Sequence, residues 1–411
     1  MSERGQTREA PHLVWVNHYA VTPREGGGTR HFELARALEA RGYRVTIVAS
    51  DLTLHERRYS RRNGPADRRA LDESIDGVRF RWLWAAPYER NDWRRIRNWI
   101  SFGRRVAGLD FAADRPTLVI GSSPDLFAAL GASWLARRLR VPFVLEVRDL
   151  WPESLTAGGA RAGLGYRALG WLAGYLYRRA SLVVTLTAGV ERYLRDRGIG
   201  PVVCAPNGID PAAFSPIRAA PSPRVRFVYL GAHGLLNGLD LVLEAAGRLA
   251  HRADIEIELI GDGPEKRGLM ERARLQGLGN VRFRAPVPKE QVPAILAAAD
   301  VGLMVLRDAP LFSFGVSPNK LFDYLGAGLT VVTNVPGEVA DIVTEARAGE
   351  VAAPGSADAL AAAMERMADL SPEERTRRGE AGRRWVTERH SREFVAGELD
   401  RALGAVAGGR A

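Results

Sequence analysis

The chain has 411 residues, 46% hydrophobic and 26% charged, which excludes a disordered polymer and exceeds what one ordinary core holds. Its formal net charge of +10, with a pI near 10.1, favours nucleic acid, an anionic membrane surface or phosphate-bearing substrates as partners, or else reflects arginine used freely on solvated faces. A single cysteine, Cys204, excludes an internal disulfide and a Cys-based metal cluster and points to a reducing cytoplasm.

In chain order, Met1 to His12 is polar and of mixed charge and does not read as a signal peptide. Strands are predicted at Leu13–Asn17, Arg44–Ala49, Val78–Leu83, Leu118–Gly121, Phe143–Val147 and Leu182–Leu186, with helices such as Thr29–Arg41, Asp125–Leu139 and Gly189–Arg197 between them. No apolar run reaches the roughly 18–20 residues of a membrane-spanning helix. Leu164–Leu176 and Ile295–Leu306 come nearest and are interrupted by Arg167 and Asp300. A turn-rich stretch from Ala205 to Asp210 leads into Pro211, Pro216, Pro221 and Pro223, a density that marks a linker. A second alternating series follows at Arg226–Leu230, Ile255–Ile260, Val281–Phe283, Val301–Leu306 and Val331–Asn334, and the tail from about Ser356 reads as helical throughout.

This alternation predicts an α/β protein of two Rossmann-like, doubly wound domains facing across a cleft, with a helical C-terminus. The expected boundaries are 1–210, 211–390 and a final helix over 391–411 that packs back on the first domain. Ligands in such sheets bind beyond the carboxyl ends of the strands.

The most informative stretch runs from Phe312 to Gly328. Ser317 before Pro318 reads as a hydroxyl cap followed by proline at the first helical position. Amides of that first turn, with Asn319 and Lys320, form an anion site. Asp323, one turn on, can accept hydrogen bonds from vicinal hydroxyls such as those of ribose. Spacing alone equally allows a capped helix with a solvated Lys320–Asp323 pair.

Ser317-Pro318-Asn319-Lys320-Leu321-Phe322-Asp323-Tyr324 resembles the signature of WbuB-like enzymes within glycosyltransferase family 4, whose two-domain architecture is named GT-B. The resemblance implies a donor-nucleotide site in which Asp323 holds the ribose while Lys320 and the turn Ser317, Pro318 and Asn319 meet the diphosphate. The wider family carries two glutamates separated by seven residues; the first has no acidic counterpart here, because the matching position near Phe312 is aromatic. Glu146 to Glu153 ends a buried strand in charged residues and is similar to the family's Arg-Asp-Leu-Trp-Pro signature. The resemblance implies a reaction centre there, with Arg148 and Asp149 catalytic together with Lys320, and Arg148 and Trp151 at the acceptor. A structural salt-bridge network is the alternative.

The run from Asn17 and His18 through Gly26-Gly27-Gly28-Thr29 lacks the spaced glycines of a dinucleotide fingerprint. It looks like the family's N-terminal glycine-rich loop, which implies Gly27 and Gly28 at the donor and His18 and Thr29 at the acceptor. Gly231 and His233 after one strand, and Asp262 and Gly263 after another, resemble loops that line the nucleotide. The Arg and Lys that many members carry after the first of these loops are replaced by Leu235-Leu236-Asn237-Gly238, which leaves more of the charge to Lys320. Pro206 to Asp210 resembles an inter-domain segment and reads as a hinge turn.

Between Arg79 and Arg105, tryptophans alternate with arginines. Trp93, Ile96 and Ile100 fall at spacings of three and four, the composition of an interfacial helix at an anionic bilayer. Gly159 to Arg179, with Trp171, is a second candidate, and both read equally as core faces with arginine rims.

The expectation is a retaining glycosyltransferase that moves a hexosyl or N-acetylhexosaminyl group from a nucleotide-sugar, UDP-linked, to an acceptor hydroxyl. It needs no metal and no bound cofactor, and the acceptor is a sugar or a lipid-linked glycan precursor of cell-surface polysaccharide. The protein is expected in the cytoplasm, peripheral to the membrane's inner face. Rival readings are a transferase acting on a soluble metabolite, a nucleotide-sugar epimerase or phosphorylase, and a nucleic-acid-binding protein, for which no recognition motif is seen.

Overall fold

The computed structural model describes residues 10–25, 28–54, 56–90, 92–153, 163–214, 223–309, 312 and 314–408. Gly26 and Gly27 of the predicted glycine loop, and Pro216 and Pro221 of the predicted linker, lie outside the described residues. The chain divides into two units, one formed by Met1–Leu186, Val190–Ala205 and Ala396–Ala411, the other by Thr187–Gly189 and Pro206–Val395.

The first unit is built on eight strands: β1 (His12–Val16), β2 (Arg44–Ser50), β3 (Leu71–Ile75), β4 (Val78–Leu83), β5 (Leu118–Ser122), β6 (Phe143–Val147), β7 (Leu182–Thr185) and β8 (Val202–Cys204). Their order is β3-β4-β2-β1-β5-β6-β7-β8, parallel except for the antiparallel β3–β4 pair. β1, β5 and β6 are buried along their whole length, as a sheet covered on both faces requires. Its helices include α1 (Arg30–Glu39), α2 (Trp93–Ala107), α3 (Leu126–Leu139) and α4 (Leu164–Arg179), and a short helix over Ala188–Arg195 follows β7. α2, α3 and α4 form one layer, α3 packing against both of its neighbours. The α2–α3 crossing is tight because a Cβ on Gly131 would lie 2.3 Å from the Gly103 carbonyl oxygen.

The second unit carries β9 (Val225–Leu230), β10 (Ile255–Ile260), β11 (Val281–Arg284), β12 (Val301–Met304), β13 (Thr330–Thr333) and β14 (Gly349–Val351), all parallel in the order β11-β10-β9-β12-β13-β14. Its helices are α5 (Leu239–Arg248), α6 (Lys266–Leu275), α7 (Val292–Ala297), α8 (Asn319–Gly326), α9 (Glu338–Glu345), α10 (Ala357–Asp369) and α11 (Pro372–His390). Strand alternation feeds two apolar clusters. Phe227 and Tyr229 enter one with Leu243 and Met364, while Val228 enters the other with Phe322 and Val339. A last helix, α12 (Arg392–Gly408), gives its residues from Ala396 to the first unit, where Asp400 accepts from the Tyr43 hydroxyl at 2.6 Å. Among the described residues no helix is long and apolar enough to cross a membrane.

Strand prediction missed β3, β8 and β14. β3 is an edge strand whose Asp72, Glu73 and Ser74 are exposed, so it has no apolar signal, and the other two are three residues long. The tail read as helical consists of three helices, separated where Leu370, Ser371 and Ser391 adopt extended backbone and the Ser371 hydroxyl accepts from Glu374 N. The stretch predicted as a hinge turn is packed: Ile209 is buried, donates from its amide to His390 O at 2.9 Å and accepts from Arg392 N at 2.9 Å.

Gly131→Ala places a methyl group against the α2 backbone. It is expected to destabilise the first unit by about 1–3 kcal/mol, read as a lower chemical-denaturation midpoint.

Candidate active site

Each sheet reverses its strand order at one place, between β1 and β5 in the first unit and between β9 and β12 in the second. The residues beyond the carboxyl ends there are where doubly wound sheets place ligands.

In the second unit, Tyr324 fixes the site. Its hydroxyl accepts from Leu230 N at 2.9 Å, and its buried ring fills the space left by Gly302, where a Cβ would lie 2.4 Å from the ring. The first turn of α8 is thereby carried to the end of β9. Lys320, one turn earlier, donates from Nζ to the Tyr229 hydroxyl at 2.8 Å and lies 4.0 Å from the centre of that ring. The Tyr229 hydroxyl in turn donates to Ala232 O at 2.8 Å. Lys320 keeps some contact with solvent, yet it bonds a phenol rather than Asp323, and burial pushes its ammonium down to about 7. An anion arriving at Gly231 meets a cation whose charge nothing else has neutralised.

Ser317 and Pro318 depart from the predicted cap. Pro318 is itself the N-cap, extended at ψ 124°, and α8 begins at Asn319, which is exposed. Extended Pro318 leaves Ser317 outside the first turn. The Ser317 hydroxyl accepts from Asn207 N at 2.9 Å and its carbonyl from Asn207 Nδ2 at 2.6 Å, so the serine anchors the preceding loop.

The glycine loops after β9 and β10 pack backbone to backbone. A Cβ on Gly261 would lie 1.8 Å from Gly231 O, and Gly261 holds φ +146°, so glycine is required on both counts. His233 N donates to Asp262 O at 2.8 Å, and Asp262 Oδ1 accepts from Gly263 N at 2.8 Å while the Asp262 side chain stays exposed. Lys266 Nζ clamps this loop by donating to Gly261 O at 2.7 Å and Arg284 O at 2.8 Å. The His233 ring is fully buried, with no geometric hydrogen bond at either nitrogen among the described residues, and burial, with Lys266 adding to it, lowers its pKa.

Sequence reading missed Glu338, at the start of α9. Burial pushes its carboxyl up to about 7 against the opposing hydrogen bond from Ala188 N. A Cβ on Gly315 would lie 2.9 Å from Glu338 Oε2, and Phe312 is buried. The loop that lacks the first family glutamate is therefore approached by a carboxylate from elsewhere in the chain.

In the first unit the residues beyond β1, β5 and β6 form two clusters. In one, Glu146 is fully buried and accepts from Arg30 Nε at 3.0 Å and His31 Nε2 at 2.9 Å, and also from the Ser122 hydroxyl. Burial alone pushes the Glu146 carboxyl up, but His31, Arg30 and Arg148 outweigh it and hold it well below the usual carboxylate range. Arg148 adds its charge to this network without a hydrogen bond to Glu146 among the described residues. Arg148 is half-buried and Asp149 exposed. In the other cluster, His18 stacks between Tyr19 and Phe102 at 4.4 and 4.1 Å, and its Nδ1 meets Asp125 Oδ2 at 2.7 Å, leaving Nε2 without a partner. Asp125 also accepts from Phe127 N at 2.8 Å as the N-cap of α3. Trp151 is buried edge-on to Trp99, at 6.4 Å, with its Nε1 unpartnered. Thr29 precedes α1 and donates to Glu33 at 2.5 Å; Gly28 lies just before it, and Gly27 is outside the described residues.

The raised Glu338 carboxyl has a stability consequence. A carboxyl that titrates higher in the fold than in the unfolded chain removes stability as pH climbs from its ordinary value of 4.5 to about 7. Glu338→Gln is expected to melt with the parent at pH 4 and above it at pH 8, as scanning calorimetry measures.

The chain matches the Glycosyl transferase 4-like domain over residues 25–208 and Glycosyl transferases group 1 over 224–369. It is 27% identical over 232 residues to the putative colanic acid biosynthesis glycosyl transferase WcaI of Escherichia coli K12. That match covers 52% of this chain and 56% of the relative, so the chain spans just over half the relative's length. Sucrose-phosphate synthase from Thermosynechococcus elongatus has the same fold, with TM-score 0.73 and 18% identity over 96% of this chain and 99% of that one. HepE of Anabaena, solved with UDP and glucose, superposes with TM-score 0.70 and 13% identity over 96% of this chain and all of the other. Two parallel sheets with their switch-point loops, matched in both halves by transferase domains, make this chain a glycosyltransferase of family 4 with the GT-B fold.

Proposed function

We propose that the protein transfers a hexosyl or N-acetylhexosaminyl group from a UDP-sugar to an acceptor hydroxyl, with retention at the anomeric carbon. The observation that carries this reading is Lys320, a half-buried ammonium bonded to a phenol beside two glycine loops, where a diphosphate restores its charge. Asp323, one turn along α8, suits the ribose hydroxyls, and Asn319, at the first position of α8, offers its amide to the phosphates beside Gly231. HepE was solved with UDP and glucose, which supports uridine as the base.

In the proposed reaction the bond from the anomeric carbon to the phosphate oxygen breaks, and the acceptor oxygen bonds to the same face of that carbon. The acceptor proton passes to an oxygen of the departing diphosphate. Lys320 stabilises the charge that develops there, and no metal ion is invoked. The unpartnered His18 Nε2, with Arg148, Asp149 and Trp151, orients the acceptor. The colanic acid role in the name of WcaI favours a lipid-linked glycan precursor over a soluble metabolite.

Lys320→Ala is expected to lower kcat by about 10²–10³, as loss of one leaving-group donor does. Asp323→Ala should mainly weaken UDP-sugar binding. Full activity in both variants, measured as acceptor-dependent UDP release, overturns the assignment. UDP release without acceptor, or interconversion of the donor sugar, points instead to hydrolysis or epimerisation.

Affinity should also depend on pH. Free Lys320 loses its proton near 7, and a bound diphosphate diester, which does not titrate in this range, holds the proton on. UDP-sugar affinity is expected to fall as pH rises from 6 to 8.5, with proton uptake on binding above 7 seen by calorimetry in buffers of different ionisation enthalpy. A flat profile in the wild type counts against it.

A further inference from the structure

The layer of α2, α3 and α4 has an outer face that the transfer reaction does not use. The three exposed tryptophans among the described residues lie on these helices: Trp93 is 62% exposed, Trp134 48% and Trp171 70%. Ile96, Ile100 and Leu164 are exposed beside them. On α2, Trp93, Arg97, Ile100 and Arg104 recur at i, i+4, i+7 and i+11 and share one outward stripe, while Asn98, Phe102 and Val106 on the opposite side are buried. On α4, Leu164, Arg167, Trp171 and Arg178 repeat the alternation. The close Gly103–Gly131 crossing brings α2 against α3.

The charge of this layer is as one-sided as its apolar content. The three helices hold ten arginines and no aspartate or glutamate, equal to the net +10 of the whole chain. Arg97, Arg104, Arg137, Arg167, Arg178 and Arg179 make no ion pair among the described residues. Elsewhere many arginines are paired, as Arg62 is with Asp51 and Arg252 with Asp254, Glu365 and Asp369.

We propose that this face docks on an anionic phospholipid bilayer, with Trp93, Ile96, Ile100, Leu164 and Trp171 entering the headgroup–acyl boundary and the unpaired arginines meeting lipid phosphates. Tryptophan belongs at that boundary, and arginine can keep its head in the phosphate layer while its stem covers apolar surface. A second copy of the chain is disfavoured, because a two-fold contact sets one acid-free cationic face against another. Nucleic acid satisfies the arginines but gives Ile96, Ile100 and Leu164 no hydrocarbon. The proposal concerns where the enzyme works and does not rest on which sugar it transfers.

The test is co-sedimentation of the full chain with vesicles of phosphatidylcholine alone and of phosphatidylcholine mixed with phosphatidylglycerol. Binding is expected to the anionic vesicles at low salt, with a blue shift of tryptophan emission, and to be lost near 1 M salt, where the Debye length is about 3 Å. Two variants, Trp93→Ala/Trp171→Ala and Arg97→Gln/Arg104→Gln/Arg167→Gln, should each weaken partitioning by at least about tenfold with unchanged melting temperature. All five substituted positions are solvent-facing, and UDP-sugar titration reports the transfer site separately. The proposal is overturned if the wild type stays in the supernatant with anionic vesicles at low salt, or if the tryptophan variant binds like the parent. It is also overturned if the chain is a dimer in solution that either variant dissociates.

Discussion

An ammonium that is largely removed from water, and that has a phenol rather than a carboxylate for a partner, sits at the edge of losing its proton. Lys320 is in that condition because Tyr324 binds the end of β9, Gly302 makes room for the Tyr324 ring, and Tyr229 stands directly beneath the first turn of α8. The glycine loops complete the arrangement: Gly231 and Gly261 approach so closely that side chains are excluded, and a Cβ on Gly231 would lie 3.3 Å from Lys320 Nζ. Stability is given up to hold the ammonium there, and under the proposed reaction this amounts to electrostatic preorganisation for a phosphate.

The first unit handles charge in the opposite way. Glu146 is fully buried, and Arg30, His31 and Ser122 satisfy it, so its charge is spent on joining β6 to the start of α1. Removing one partner of such a pair leaves an uncompensated buried charge. The polar groups that remain open are His18 Nε2, the half-buried Arg148 and the exposed Asp149, each beyond the carboxyl end of a strand. Closed network and open groups lie within three residues of one another along β6 and its loop. A single strand end thus carries both the scaffold and the candidate chemistry.

The same contrast governs the surface. Elsewhere arginines form ion-pair clusters such as that of Arg252, whereas Arg97, Arg104, Arg137, Arg167, Arg178 and Arg179 of α2, α3 and α4 are exposed without an acidic partner among the described residues, with tryptophan and isoleucine between them. Isolated exposed apolar residues are ordinary on a protein surface, but a set gathered on one layer without an acidic residue is not.

The amino-acid sequence by itself determined the alternation of strands and helices, the switch-point loops at Gly231 and Gly261, and the segment from Ser317 to Tyr324, because these are local patterns of turn residues and periodicity. It did not determine the cap, since Ser317 has a stronger partner in Asn207, 110 positions away. It did not reveal what Lys320 rests on, because Tyr229 lies 91 positions earlier and meets it only when α8 folds over β9. Periodicity on α2 marked two faces without choosing between them. Trp93, Ile96 and Ile100 read as well for a core as for a surface. The tertiary structure chose the face of Phe102, Gly103 and Val106 for burial, because Gly103 lets α3 approach and Asn98, inside, donates to Ala86 O at 2.8 Å. Close packing and hydrogen-bond satisfaction made that choice, and the tryptophans were left outside.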